Sequence, residues 1–210
     1  MRGLLILSLF PVRLAFYGLL RGVVLHGIVV TIMKNGPSIF KEDGPIEWVH
    51  FGLMAASGAV FLCNWRRNSV YPDVLLFCSM VSFIAALREL DHYSEILLFE
   101  DAYKYPVGAI GVLAVYYMWN VRQRLREEIS AFIKEPPFFF LAFGFFLTAV
   151  VAQILGQSEL WYALIETPSA RPTKRVFEET IETIGYLTVF FGSIETFSLS
   201  AITADARRHY

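Results

Sequence analysis

Acidic and imidazole side chains occur in this chain as pairs three residues apart. The three pairs are Glu47 with His50, Glu89 with His92, and Glu179 with Glu182. Residues i and i+3 of a helix project from the same side, so each pair presents two ligand atoms to one cation. Together they supply four carboxylates and two imidazoles, the ligand count of di-iron and di-manganese sites in helical bundles. Because these ligand types also suit zinc, the pattern predicts a divalent transition-metal site, with Zn or Fe as the candidate metals.

The chain that carries these pairs has the composition of a membrane protein. Hydrophobic residues make up 56% of its 210 residues and charged residues only 18%, whereas soluble domains are about 45–50% hydrophobic. Six apolar runs have the length of about 17–25 residues that crosses a bilayer. They are 17–33, 46–65, 70–87, 105–121, 138–156 and 180–201. No run alternates like a strand, so the predicted fold is all-α: a single transmembrane domain over 1–210, with a bundle of about six helices.

The N-terminal segment 1–14 has two interpretations. Arg2 and the apolar run from Gly3 to Phe10 resemble a signal peptide, but no small-x-small cleavage site precedes Arg13. The segment is therefore predicted to be retained, either as an interfacial helix or as the start of the first span.

The lysines and arginines predict the orientation of the spans. More of them fall on the side of the two termini than on the other side, which favours cytoplasmic termini in a multi-pass protein of the cell (inner) membrane. Because successive spans alternate in direction, the start of the second, the end of the third and the start of the sixth share the extracytoplasmic face. All three acidic pairs are therefore expected at one depth, in one cluster.

Arg88 stands next to Glu89 and has two candidate roles. Paired with Glu47 or Glu182, it locks the bundle through salt bridges and no metal is needed. Alternatively, it binds an anionic lipid phosphate or a substrate carboxylate beside the metal. Tyr186, one helical turn after Glu182, is the second candidate for contact with a substrate or anion.

A second polar feature is expected deeper in the membrane. Arg21 in the first span and Glu195 in the sixth each lie about 18–22 Å from the extracytoplasmic end of their helix, at 1.5 Å per residue. They are predicted to form an intramembrane ion pair, which either docks the two helices or belongs to a proton or ion relay. Gly18 and Gly22 form a GxxxG pattern that permits close packing of the first span.

Three functions fit these residues. The first is a metal-dependent enzyme acting on a lipid or other apolar substrate, with Glu89 and Glu179 as catalytic carboxylates. The second is a proton- or cation-coupled transporter, in which Arg21 and Glu195 continue the path. The third is a non-catalytic membrane subunit, in which the cluster is a salt-bridge network around Arg88 and no cofactor is needed.

The predicted partners follow from the same composition. Membrane lipids are expected in every case, and a homo-oligomer or a membrane complex is compatible with each function. Nucleic acid is not expected, because no basic patch is interleaved with aromatic stacking residues. The chain contains no P-loop, GxSxG, HExxH or GxGxxG motif, which removes several enzyme classes.

Overall fold

The computed structural model describes residues 9–40, 44–67, 70–165 and 169–208, and these residues are helical with no strand among them. The helices are α1 (Phe10–Asn35), α2 (Pro45–Arg66), α3 (Pro72–Arg88), α4 (Asp91–Leu97), α5 (Lys104–Phe132), α6 (Pro136–Leu155), α7 (Ser158–Leu164) and α8 (Ala170–Arg208). A 3-10 turn, Gly36–Phe40, follows α1, and Leu147–Val151 within α6 is π-helical. Each of the six predicted apolar runs falls on one of the long helices, although the run 70–87 begins two residues before α3 and the run 138–156 ends one residue after α6.

Proline residues, and in one case a carboxylate from a neighbouring helix, explain where several helices begin. Pro45, Pro72 and Pro136 stand in the first turn of α2, α3 and α6, where the fixed φ of proline suits a helix and its missing N–H costs nothing. At α3, Oε2 of Glu128 accepts hydrogen bonds from the backbone N–H of Asp73 (2.8 Å) and Val74 (3.1 Å). This negative charge from α5 caps the positive end of α3 and ties the two helices together.

Three helices, α1, α2 and α6, are long and apolar enough to cross a membrane. Large apolar side chains on α1 and α6 face outward, among them Val12, Phe16, Leu19, Val23, Phe139, Phe143 and Ile154. A contiguous surface of this kind fits lipid rather than water. The structure thus supports an all-helical membrane protein, and crossing by α3, α5 and α8 stays a prediction.

Helix α8 forms the centre of the packing. It contacts α2 and α6 most extensively and also touches α1 and α7, while α3 packs between α2 and α5. At the α6–α8 contact, a Cβ built on Gly144 would lie 2.7 Å from Cγ2 of Val189 and 2.8 Å from the carbonyl oxygen of Gly185. These glycines let the two backbones approach closely. The GxxxG glycines of α1 do not act in this way, because no atom lies within 4 Å of a Cβ built on Gly18 or Gly22.

Polar side chains are paired at the end of the bundle where α3 begins, which we call the Asp73 end. Asp73 accepts hydrogen bonds from the Tyr117 hydroxyl (2.6 Å) and from Nη2 of Arg124 (2.7 Å), and forms an ion pair with Nε of Arg124. Nδ2 of Asn64, near the end of α2, donates to Oγ1 of Thr196 on α8 (2.8 Å). These bonds join α2, α3, α5 and α8 about 28 Å along the helix from the start of α2.

Glu195 belongs to this end, and its partner differs from the predicted one. Its carboxylate accepts hydrogen bonds from Nε (2.8 Å) and Nη2 (2.9 Å) of Arg13 and from the Tyr17 hydroxyl (2.7 Å). The predicted pair of Glu195 with Arg21 is therefore replaced by a pair with Arg13. The reason is the length of α1, which begins at Phe10 and carries Arg13 to the level of Glu195.

Candidate metal centre

One residue from each predicted pair lies in a cluster at the opposite end of the bundle, which we call the His50 end. These residues are His50, Glu89 and Glu179. His50, in the second turn of α2, is completely buried. Its Nδ1 lies 3.4 Å from Oε2 of Glu89, at the end of α3, and 3.7 Å from Oε2 of Glu179 on α8. Three helices thus bring two carboxylates to one imidazole nitrogen.

Thr183 links His50 to α8. The Thr183 hydroxyl donates to the carbonyl oxygen of Glu179 (2.8 Å), and its Oγ1 lies 2.8 Å from Nε2 of His50. When Nε2 carries the imidazole proton, it donates to Oγ1, and the lone pair of Nδ1 faces Glu89 and Glu179. Nδ1 is buried and has no hydrogen-bond partner among the described residues. A lone pair that faces two carboxylates needs a proton or a cation between them.

Glu182 completes a group with the ligand types of a metal site. One ligand atom each of His50, Glu179 and Glu182 lies within 4.8 Å of the others. With bonds of about 2.1 Å, ligand atoms around a tetrahedral zinc ion are about 3.4 Å apart. The three residues could therefore hold a divalent metal ion after a shift of their side chains, and Glu89 lies beside them.

Glu89 is oriented by two further side chains. Its Oε1 accepts hydrogen bonds from the Tyr186 hydroxyl (2.9 Å) and from Nη2 of Arg88 (3.4 Å). Burial acts to raise the pKa of Glu89, but it is outweighed by Arg88, by Tyr186 and, when its Nδ1 carries a proton, by His50, so the pKa lies below its usual value. Glu89 is therefore ionised at neutral pH, with Oε2 directed toward Nδ1 of His50.

Glu179 is in the opposite electrostatic situation. Burial, followed by the negative charges of Glu182, Glu89 and Glu47, raises the pKa of Glu179 to about 8. Arg175 acts against this rise. The carboxylates therefore repel one another when all of them are ionised, and a bound divalent cation would relieve that repulsion.

The other two predicted ligands, Glu47 and His92, differ in what the structure describes of them. Glu47, in the first turn of α2, is half-buried and close enough to raise the pKa of Glu179, yet it is not among the three grouped ligands. His92 does not share a helix face with Glu89, because α3 ends at Arg88 and α4 begins only at Asp91. The side chain of His92 lies outside the described residues.

An apolar cavity of about 620 Å³ adjoins the cluster. Its walls come from α2, α3, α5, α6 and α8 and include Phe61, Phe77, Val81, Phe145 and Val189. Arg88 and Tyr186 line the same cavity, and they also contact the carboxylates: Nη2 of Arg88 lies 3.8 Å from Oε1 of Glu182. The volume is that of an ordinary small-molecule pocket, about 300–1,000 Å³. These two residues, predicted to contact a substrate, thus join an apolar cavity to a charged cluster.

Sequence reasoning missed Thr183 and Arg13. Threonine is common in helices, and its role at His50 depends on how α2 and α8 are rotated about their axes. The one signal for Thr183 was its spacing of four residues after Glu179. The predicted interfacial segment 1–14 contains Arg13, so the sequence predicts no contact between Arg13 and a carboxylate on the last helix.

The chain was compared with protein-family models, curated proteins and solved structures, and no match was found. The function is therefore inferred from the chemistry of the site rather than from kinship.

Proposed function

We propose that this protein is a metal-dependent membrane enzyme that acts on a lipid or another substrate with an apolar chain. His50, Glu179 and Glu182 are the proposed metal ligands, and Glu89 is the proposed general base. The observation that carries the proposal is the buried Nδ1 of His50, which has no hydrogen-bond partner among the described residues and faces two carboxylates. A divalent metal held there would act as a Lewis acid that polarises a substrate oxygen or a water molecule.

Each residue of the cluster has a separate task in this proposal. Thr183 keeps the proton of His50 on Nε2, so that Nδ1 stays free to bind. Glu89, held by Tyr186 and Arg88, accepts a proton from the attacking water. Water then adds across the scissile bond, its hydroxyl going to one product and its proton to the other.

The cavity beside the cluster supports an amphiphilic substrate. Its apolar walls suit an acyl or other hydrocarbon chain, whereas Arg88 and Tyr186 stand where the chain would meet its polar head. The side chain of Arg88 is 54% exposed, and its contacts with Glu89 and Glu182 are long, at 3.4 and 3.8 Å. A guanidinium has five N–H donors, so Arg88 has donors to offer to an anionic head while it keeps these contacts.

The membrane setting belongs to the same proposal. We propose that α3, α5 and α8 also cross the bilayer, which makes six spans with both termini in the cytoplasm and the His50 end at the extracytoplasmic face. Membrane lipids then surround the cavity and are its immediate source of substrate. A transporter is less well supported, because Arg21 and Glu195, which would continue its path, do not pair.

Metal analysis tests the proposal directly. Purified protein in detergent, stripped with a chelator and titrated with Zn²⁺ or Fe²⁺, is expected to bind metal in a fixed ratio. His50→Gln is expected to weaken binding at least 100-fold, because it removes the one imidazole of the group. His26→Gln is the matched control, since His26 is an exposed histidine on α1. Folded wild-type protein that binds no metal, or equal binding by both variants, would leave the salt-bridge network around Arg88 as the role of the cluster.

Catalysis requires a second measurement. Metal-loaded protein is incubated with membrane lipid extract, and products are followed by mass spectrometry. Glu89→Gln is expected to keep its metal but to lose turnover by 10²-fold or more, as removal of a general base typically does. Metal-loaded wild-type protein that consumes no lipid would argue against an enzyme.

A further inference from the structure

Arg21 is a half-buried cation, and no carboxylate among the described residues pairs with its guanidinium. Its Nε and Nη2 are buried and have no hydrogen-bond partner among the described residues. The guanidinium lies 5.1 Å from the ring centre of Phe191 and 6.0 Å from that of Phe140. Ring faces stabilise a cation partly, but they accept none of its hydrogen bonds. Glu195, the predicted partner of Arg21, is already hydrogen-bonded to Arg13 and Tyr17.

A second cavity, of about 610 Å³, opens at this guanidinium. Arg21 and Lys134 supply its charges, and no carboxylate is among its lining residues. Its other walls are apolar and include Leu14, Phe139 and Phe143, which are exposed on α1 and α6. The cavity thus has a cationic part and an apolar part. It lies on a side of α6 that does not line the cavity beside His50.

The cavity lies near the N-terminal end of α6, a helix long and apolar enough to cross a membrane. Lys134 is exposed just before α6 begins at Pro136, and Phe140, beside the Arg21 guanidinium, is about one helical turn further along. Glu135, the acidic residue next to Lys134, faces elsewhere, since its Oε1 accepts a hydrogen bond from the Tyr71 hydroxyl (3.1 Å). Two cations therefore stand near one edge of the membrane-crossing helix α6 without a carboxylate between them.

We propose that this cavity binds an anionic glycerophospholipid, with the lipid phosphate on Arg21 and Lys134 and an acyl chain along Leu14, Phe139 and Phe143. A phosphate accepts several hydrogen bonds from one guanidinium, so it suits Arg21 as a partner. The net negative charge of the lipid offsets part of the charge of the two cations, which a zwitterionic lipid does not do. The site is separate from the proposed metal centre and does not depend on it.

Native mass spectrometry of the full chain in detergent tests this site. Phosphatidylglycerol and phosphatidylcholine with the same acyl chains are titrated into delipidated protein. Phosphatidylglycerol is expected to bind at least tenfold more tightly. Arg21→Gln is expected to lose this preference, and Lys134→Gln to weaken binding of phosphatidylglycerol about fivefold, the effect of one basic residue at a membrane surface.

Controls separate the lipid site from a general charge effect. Arg122→Gln removes an exposed arginine of α5 that does not line the cavity, and it is expected to bind lipid like the wild type. Lys134→Gln changes an exposed side chain, so it keeps the test valid if Arg21→Gln does not fold. Equal binding of the two lipids would overturn the proposal, and so would equal effects of Lys134→Gln and Arg122→Gln. A lipid-free dimer that Lys134→Gln dissociates would also overturn it.

Discussion

The two ends of the helical bundle differ in how their buried carboxylates are paired. At the Asp73 end, Asp73 and Glu195 each meet one arginine and one tyrosine hydroxyl at hydrogen-bonding distance. At the His50 end, Glu89, Glu179 and Glu182 gather around one histidine, and Arg88 reaches only two of them, at 3.4 and 3.8 Å. Buried charges with a structural role are normally paired completely. Incomplete pairing at the His50 end is therefore the feature that calls for a ligand.

Breaking a pair at the Asp73 end should have the largest effect on stability. Glu195→Gln leaves the guanidinium of Arg13 without its carboxylate, and we expect a loss of about 3 kcal/mol in the free energy of unfolding. This is the lower end of the range for buried pairs, because the side chain of Arg13 is 24% exposed. Denaturant unfolding in micelles, followed by circular dichroism, measures this loss.

The double variant Arg13→Gln with Glu195→Gln is the control for this prediction. It leaves no charge unpaired, so part of the lost stability should return. A loss below about 1 kcal/mol in Glu195→Gln, as is usual for surface pairs, would remove the contrast between the two ends.

Removing a carboxylate charge at the His50 end should increase, rather than decrease, the stability of the metal-free protein. Burial and neighbouring carboxylates raise the pKa of Glu179 to about 8 in the folded state, from an ordinary value of 4.5. Between these two values the unfolded chain has lost a proton that the folded protein keeps, so stability falls as pH rises through this window and levels off above about 8. We expect Glu179→Gln to be more stable than the wild type at pH 9 by about 1–3 kcal/mol, and nearly equal to it at pH 4.

Unfolding curves of chelator-treated protein at pH 4, 7 and 9 measure this difference. Glu159→Gln, at an exposed glutamate of α7, is the control and should follow the wild type at each pH. A Glu179→Gln protein that is less stable than the wild type at pH 9 would mean that the carboxylate is already neutralised within the fold.

The smallest expected effect concerns the residue that orients His50. Thr183→Val keeps the shape of the side chain but removes the acceptor of Nε2–H. We expect metal affinity to fall about tenfold, as is typical when a residue behind a ligand is changed, and Thr183→Ser to restore it. Metal titration of the chelator-treated variants provides the measurement.

Thr188→Val is matched to this change, because the Thr188 hydroxyl also donates to the carbonyl four residues earlier on α8 but contacts no histidine. Its metal affinity should equal that of the wild type. Equal affinities of Thr183→Val and Thr188→Val would show that the tautomer of His50 is fixed by something other than Thr183.

The sequence predicts where the helices lie along the chain better than how each helix is rotated about its own axis. Lengths of apolar runs mark the long helices, and the alternation of spans places His50, Glu89 and Glu179 at one end. Which side of each helix faces its neighbour is not contained in such runs, so Thr183 and the Arg13 partner of Glu195 were not foreseen. The break between Arg88 and Asp91 separates Glu89 from His92, and no proline or glycine marks it.

The position of Arg88 and Tyr186 has a thermodynamic consequence. Both residues line the apolar cavity and also hold the carboxylate cluster. A cation bound among the carboxylates would weaken their attraction for Arg88 and release it toward the cavity. An anionic amphiphile bound in the cavity would, in turn, engage Arg88 and leave the carboxylates to the cation. The two ligands are therefore expected to bind with positive heterotropic cooperativity, each raising the affinity for the other by the same factor.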